Sequence, residues 1–433
     1  MRVLVCDDLP GDNLEFEDAI READQPTVEI KRLFGDALKT QLNALIAGAD
    51  AALRDGEHAI ELPATEFDDA DLIILDNNLA HLEIVGTRLT AEAVAGYIRA
   101  FSSAPYIVSI NKNPDVDFDL RYLIGDYATR ADLALNTHHL RNPALWTRTR
   151  ADAVNGFLPW YWPNLLEAGA DRRITIELVR AGLNQHVGEV FGLADEDFKF
   201  LSRQARSLLS QAEEERDAEL ERQELYGATA TCQEVFLASG RSLPNKEERE
   251  SLYRKLVQGV DGVAAIVARV VAADIDLWFR RDVLGPQETV VDIPHLLMRL
   301  PFLLGDNANE VDHWNRAVDA AANDPPFGLD EVLFAAHLKQ TQFGQGEWPS
   351  VPCFWWPTLR ENEALNAYFS GEQAGSWAEV VFCEDRSEFL PSDPNNATPE
   401  PVEFVAQFEG SWNRRYVAEI DGIRYAPKSR FAK

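Results

Sequence analysis

With 433 residues and a mass of 48.5 kDa, the chain exceeds what one ordinary core organises, so two or three domains are expected. Hydrophobic residues at 46% and charged residues at 26% are ordinary globular values, which exclude wholesale disorder, a collagen-like repeat and a membrane bundle. The 41 Lys and Arg against 72 Asp and Glu leave a net charge of −31, a field that repels phosphate backbones and anionic lipid and so disfavours a DNA-binding output.

Met1-Arg-Val-Leu-Val-Cys6 opens directly as a strand, with no signal-peptide pattern ahead of it. Strand candidates then follow at Val3–Cys6, Val28–Leu33, Leu72–Leu75, Tyr106–Ser109 and Asp132–Leu135. Helical patterns separate them at Asn13–Ala23, Ala37–Arg54, Thr90–Phe101 and Asp117–Ile124. Strands alternating with helices predict a doubly wound, five-stranded parallel sheet, flavodoxin-like in class, over residues 1–145. The connection from about residue 36 to 70 is longer than a simple crossover requires and is expected to contain an inserted helix.

Residues 146–340 read as a mostly helical region. Leu193–Tyr226 has the pattern of one long helix, apolar first and then dense in Glu and Arg, a solvated face laced with pairs such as Glu219 and Arg222. Leu158-Pro-Trp-Tyr-Trp-Pro163 and Asp324-Pro-Pro-Phe327 mark turns. Gly262–Ala273 is apolar, is interrupted by Arg269 and is followed by Asp274 and Asp276. It is too short to span a bilayer and predicts a buried helix. A cytoplasmic protein without a membrane partner is expected. Residues 341–433 change character from Trp348 onward. They read as a small β-rich, Trp-containing module with strands at Ala378–Cys383, Val402–Phe408 and Tyr416–Ile420 and a loop at Pro391–Asn396.

Chemistry concentrates in the first region. Asp7 and Asp8 follow the first strand, Asp76 follows Leu72–Leu75, and Ser109 ends the next strand. A doubly wound parallel sheet gathers all of these on its carboxyl edge, where such folds place their sites. Three carboxylates there repel one another unless a hard divalent cation neutralises them, and oxygen ligands with room for water suit Mg2+. A carboxylate beside such a metal can attack phosphorus, and a nearby hydroxyl can bind a phosphoryl oxygen.

This set resembles the receiver domain of bacterial two-component response regulators. The likeness rests on Val5-Cys6-Asp7-Asp8, the run Asp71-Leu-Ile-Ile-Leu-Asp76-Asn-Asn-Leu79, Gly86 and Ser109, and covers the first third of the chain. It implies that Asp76 is the phosphoacceptor and that Asp7, Asp8, Asp76 and the Asn78 carbonyl hold Mg2+. Ser109 would then be the phosphoryl-contacting hydroxyl. It also implies a histidine kinase or phosphotransfer protein as donor, and a phosphorelay role. The sequence departs from that pattern in three places. Asp132-Leu-Ala-Leu-Asn136-Thr137 carries no lysine after the fifth strand, Lys112 follows the fourth strand instead, and Ala80 stands where a proline is usual.

Other candidates carry bland explanations. The eight histidines form no H-x-x-x-H or H-E-x-x-H pair, and His295 sits among apolar residues. His138-His139 lie where the lysine is missing and could contact phosphate. The cysteines 6, 232, 353 and 383 lack C-x-x-C spacing, which argues against a disulfide framework or thiolate zinc cage, and Cys383 needs a histidine base to be a nucleophile. Phe382–Glu388 reads as a charge-protected edge strand. The basic stretch from Arg414 to Lys433 reads as docking onto the protein's own acidic surface. No phosphate loop, dinucleotide fingerprint or nucleophile elbow is present.

Three functional classes follow. The first is a signalling protein whose receiver-like region controls a non-DNA-binding output. The second is a phosphorylation-independent interaction module that meets a protein partner, or a second copy, through the receiver or helical region. The third is an effector enzyme with its active site in residues 146–433, gated by the receiver. Because one phosphoryl contact is missing, constitutive contacts between sheet and helices are expected to hold the chain in one state.

Overall fold

The computed structural model describes residues 1–9, 15–22, 27–54, 59–79, 81–84, 87–88, 90–111, 130–140, 146, 165–191, 230–238, 246–278, 290–320, 338–339, 353–355, 377–383, 388–391, 402–403 and 414–416. The N-terminal sheet is built from β1 (Arg2–Asp7), β2 (Glu29–Phe34), β3 (Leu72–Asp76), β4 (Tyr106–Asn111) and β5 (Leu133–Asn136). Its order is 2-1-3-4-5 and every pairing is parallel, consistent with a flavodoxin-like fold. β3 is buried along its whole length, as a central parallel strand covered on both faces must be.

Alternation along the strands separates two cores. Val3, Val5, Ile74, Val108 and Leu135 face α1 (Glu15–Glu22), whose Phe16 and Ile20 are fully buried. Leu4, Cys6, Ile73, Leu75 and Ile107 face α2 (Gly35–Leu53) and α3 (Ala91–Phe101). Gly35, at φ +49, turns the chain from β2 straight into α2, a conformation that costs a residue with a Cβ far more. Thr90 caps α3 by accepting the Ala93 amide at 3.2 Å.

Among the described residues the long β2-to-β3 connection holds one helix, α2, and from residue 59 a non-helical stretch with a turn at 66–69. That chain forms a parallel bridge, Ala59 with Asp261, and the Ile60 amide donates to the Asp261 carbonyl at 2.9 Å. The extra length therefore joins the sheet region to the helices beyond it.

Those helices share the second core. After the four-residue α4 (Thr137–Leu140) come α5 (Leu165–Ala181), α6 (Val187–Phe191), α7 (Cys232–Ala238), α8 (Lys246–Val257) and α9 (Val263–Trp278). The predicted buried helix is α9, whose Ile266, Val267, Val270 and Val271 pack into the core around α2 and α3. α9 is buried on nearly all sides, its charged Arg269, Asp274 and Asp276 included. α5 starts in the α1-side core with Leu165 and Leu166 and ends in the other with Ile176 and Val179. It passes the amino edge of the sheet at Gly169, where an added Cβ would lie 2.1 Å from the Asp71 carbonyl oxygen.

A third core joins Leu296, Leu297, Leu303 and Trp314 to Phe382 and Phe389 on the antiparallel strands Val380–Cys383 and Glu388–Pro391. Asn315 bonds both the amide and the carbonyl of Phe389. Strand Val290–Asp292 pairs with Cys353–Trp355, and Arg414–Tyr416 pairs with Val402–Glu403. The predicted helices at 117–124 and 193–226, both proline clusters and the chain after residue 416 lie outside the described residues.

Candidate functional site

Parallel strands deliver their final residues to one edge, and in this sheet that edge is acidic. β1 ends on Asp7, with Asp8 next, and β3 ends on Asp76. Pairing of Cys6 with Leu75 sets the two strand ends side by side. One carboxylate oxygen from each of Asp7, Asp8 and Asp76 lies within 4.8 Å of the others, although the residues are 3%, 6% and 4% exposed. Two unit charges at that spacing repel by about 3 kcal/mol at an effective dielectric near 20.

Backbone amides offset part of that repulsion. The Leu9 amide donates to Asp7 Oδ1 at 3.1 Å and the Asn78 amide to Asp76 Oδ1 at 3.4 Å. Both are local turns in which an aspartate accepts the amide two residues on. The His81 amide donates to Asp8 Oδ2 at 2.9 Å, across 73 residues of sequence. A second short ladder, Glu83 with Arg88 and Ile84 with Thr87, follows directly, while Gly86 lies outside the described residues. Three converging carboxylates with no sulfur or imidazole among them suit a hard divalent cation, without selecting one such ion over another.

Of the residues singled out in the sequence, Asp7, Asp8 and Asp76 come together, and exposed Asn78 sits two residues beyond Asp76 with its amide on that carboxylate. Ser109 is buried at the same end of the sheet but stands beside Leu75, while Asp76 stands beside Ile110. By alternation Ser109 takes the face of Ile107 and Leu75, and Asp76 takes that of Ile74 and Ile110.

The residue that follows β5 is Thr137, whose hydroxyl donates to the Asn111 carbonyl at 3.3 Å. β5 is two strands from β3, a lateral span of about 9 to 10 Å that a threonine side chain does not bridge. Thr137 was findable by the same strand-end rule that picks out Asp76. The His81 amide gave no local signal, because it reaches Asp8 only through the fold. Lys112 lies outside the described residues, as do the side chains of His138, His139, His295 and Cys383. Cys6, next to the acidic pair, is no candidate nucleophile: burial, then the neighbouring Asp7, push its thiol far above the ordinary range.

No protein-family model matches the chain, and no curated protein or solved structure is significantly similar to it, so the chemistry of this edge has to be read from its own residues.

Proposed function

We propose that the N-terminal region is a receiver-like signalling unit in which Asp76 accepts a phosphoryl group. The observation that carries this reading is the convergence of three buried carboxylates at the carboxyl edge of a 2-1-3-4-5 parallel sheet. Asp7, Asp8 and Asp76, with the Asn78 carbonyl, would hold Mg2+, which when bound offsets charge on the phosphoryl oxygens. An Asp76 carboxylate oxygen attacks phosphorus, the bond to a donor imidazole or acyl oxygen breaks, and the leaving group keeps the electron pair. A histidine kinase or phosphotransfer protein is the matching donor class. The helical and C-terminal regions would be the output, and the net charge of −31 speaks against duplex DNA as its target.

The test is incubation of the full chain with Mg2+ and beryllofluoride or a small acyl phosphate. Stoichiometric binding by the wild type and none by Asp76→Asn supports the proposal. Equal behaviour of the two proteins refutes it.

Two observations favour a second reading, a phosphorylation-independent interaction module. Ser109 lies on the strand face opposite to that of Asp76, and no lysine follows β5. In that case the acidic edge binds a cation and no phosphoryl analogue, an outcome the same titration separates from the first.

A further inference from the structure

The helices meet the sheet at the edge opposite the carboxylates, through a chain of buried charges. Asp132 precedes β5, Arg99 lies in the last turn of α3, Arg172 in α5 and Asp276 in α9, and all four are buried. Arg99 Nη2 donates to Asp132 Oδ2 at 2.5 Å, and Arg172 Nη1 lies 2.9 Å from Asp132 Oδ1. Arg172 also pairs with Asp276 through its other nitrogen. Two guanidiniums thus alternate with two carboxylates, with no net charge, across three helices and the residue ahead of β5.

The chain is well seated. Arg99 donates to the Pro105 carbonyl at 3.1 Å, the Ile107 amide donates to Asp132 at 2.7 Å, and the Arg172 guanidinium stands 5.4 Å from the Tyr106 ring centre. Further cations tie α9 and α8 to carbonyls at the C-terminal ends of α3 and α2. Arg269 reaches the Ala100 carbonyl at 2.8 Å, and Lys255 reaches those of Ala52 and Arg54, each at 2.5 Å. Arg173 adds a half-exposed pair with Asp71 at 3.0 Å.

Removing one member of a buried pair leaves the other charged and out of water, which costs far more than the loss of an exposed pair. We propose that the Arg99–Asp132–Arg172–Asp276 chain is a permanent clasp that keeps α5 and α9 docked on the amino edge. Asp132 stands two strands from Asp76 and three residues nearer the amino edge, a backbone separation of about 14 Å. A change at Asp76 is therefore expressed on the carboxyl edge and not by release of the helices, a consequence that rests on the phosphoacceptor reading.

The test uses the full chain with a protease site placed between Trp146 and Leu165. After cleavage the two halves stay together in gel filtration down to nanomolar concentration, with or without Mg2+ and beryllofluoride. Arg172→Met weakens their association at least a hundredfold, and Asp276→Asn at least tenfold, so the series survives if one variant fails to fold. Arg173→Ala, on the exposed rim, changes it less than about fivefold. Separation of the wild-type halves in native buffer, or equal effects of Arg172→Met and Arg173→Ala, overturns the clasp. Separation that needs beryllofluoride and Asp76 overturns the clasp while supporting the phosphoacceptor reading. If beryllofluoride does not bind, that reading falls and the ligand-free dilution series alone decides the clasp.

Discussion

Gly169→Ala sets two effects of opposite sign against each other. In a helix interior, alanine is favoured over glycine by about 1 kcal/mol, so propensity alone makes the change stabilising. The added Cβ would, however, stand 2.1 Å from the Asp71 carbonyl oxygen and 2.8 Å from its carbon, and backbone cannot swing aside as a side chain can. α5 must retreat from β3 by about 1 Å, the kind of overpacking that costs about 1 to 3 kcal/mol and occasionally more. The retreat also strains the neighbouring pairs of Arg172 with Asp132 and Arg173 with Asp71. The steric term and the strained pairs together outweigh the propensity gain of about 1 kcal/mol, and the expected net loss is about 1 to 2 kcal/mol. Urea unfolding followed by circular dichroism measures it, with Ala170→Gly on the exposed side of the same helix as the reference for propensity alone. A Gly169→Ala protein as stable as the wild type or more so would refute the close approach of α5 to β3.

Three further outcomes are expected. In EDTA, Asp76→Asn is more stable than the wild type by about 1 to 3 kcal/mol, because one of three buried like charges is gone. Mg2+ then stabilises the wild type, by about 2.7 kcal/mol at a hundredfold excess over its Kd, and the variant less, as thermal shift assays will read. Burial alone would raise the Asp132 carboxyl, but the Arg172 and Arg99 guanidiniums and the Ile107 amide outweigh it and hold the group below its ordinary range. With the folded value below the unfolded one of about 3.9, its contribution is complete above about pH 4 and is lost as pH falls through the folded value. Urea midpoints measured between pH 6 and pH 2.5 should show that loss, and a smaller one in Asp132→Asn. Lys255→Met removes the ammonium that caps the carbonyls of Ala52 and Arg54 at the end of α2, and should cost about 1 to 3 kcal/mol. Val257→Ser, two residues on and 65% exposed, should shift the urea midpoint negligibly.

How much of this was legible in the sequence follows the range of each interaction. The central strands announced themselves because a strand covered on both faces must be aliphatic throughout, and Leu72-Ile-Ile-Leu75 between Asp71 and Asp76 admits few other readings, whereas edge strand β2 mixes Ile30 and Leu33 with Glu29, Lys31 and Arg32. The acidic residues were legible for the same reason: a charge directly after such a strand falls on the sheet edge, and parallel order puts all those ends together. α9 was legible as a buried helix from its length and composition alone. The strand face that Ser109 takes was not legible, because a single residue of register decides it, and register is fixed by hydrogen bonds between strands.

The charge chain at the amino edge was hidden more deeply. Arg99 and Asp132 are 33 residues apart, and Arg172 and Asp276 are 104 apart. No local spacing links them, and each alone reads as an ordinary surface charge. The same holds for the long β2-to-β3 connection, whose excess length looked like room for a helix and carries the bridge from Ala59 to Asp261. Local composition determined which segments became strands and helices and which strand ends carried carboxylates, because those choices depend on neighbours along the chain. Only the tertiary structure decided which charges were buried together and which helices completed the sheet, because desolvation and pairing depend on neighbours in space.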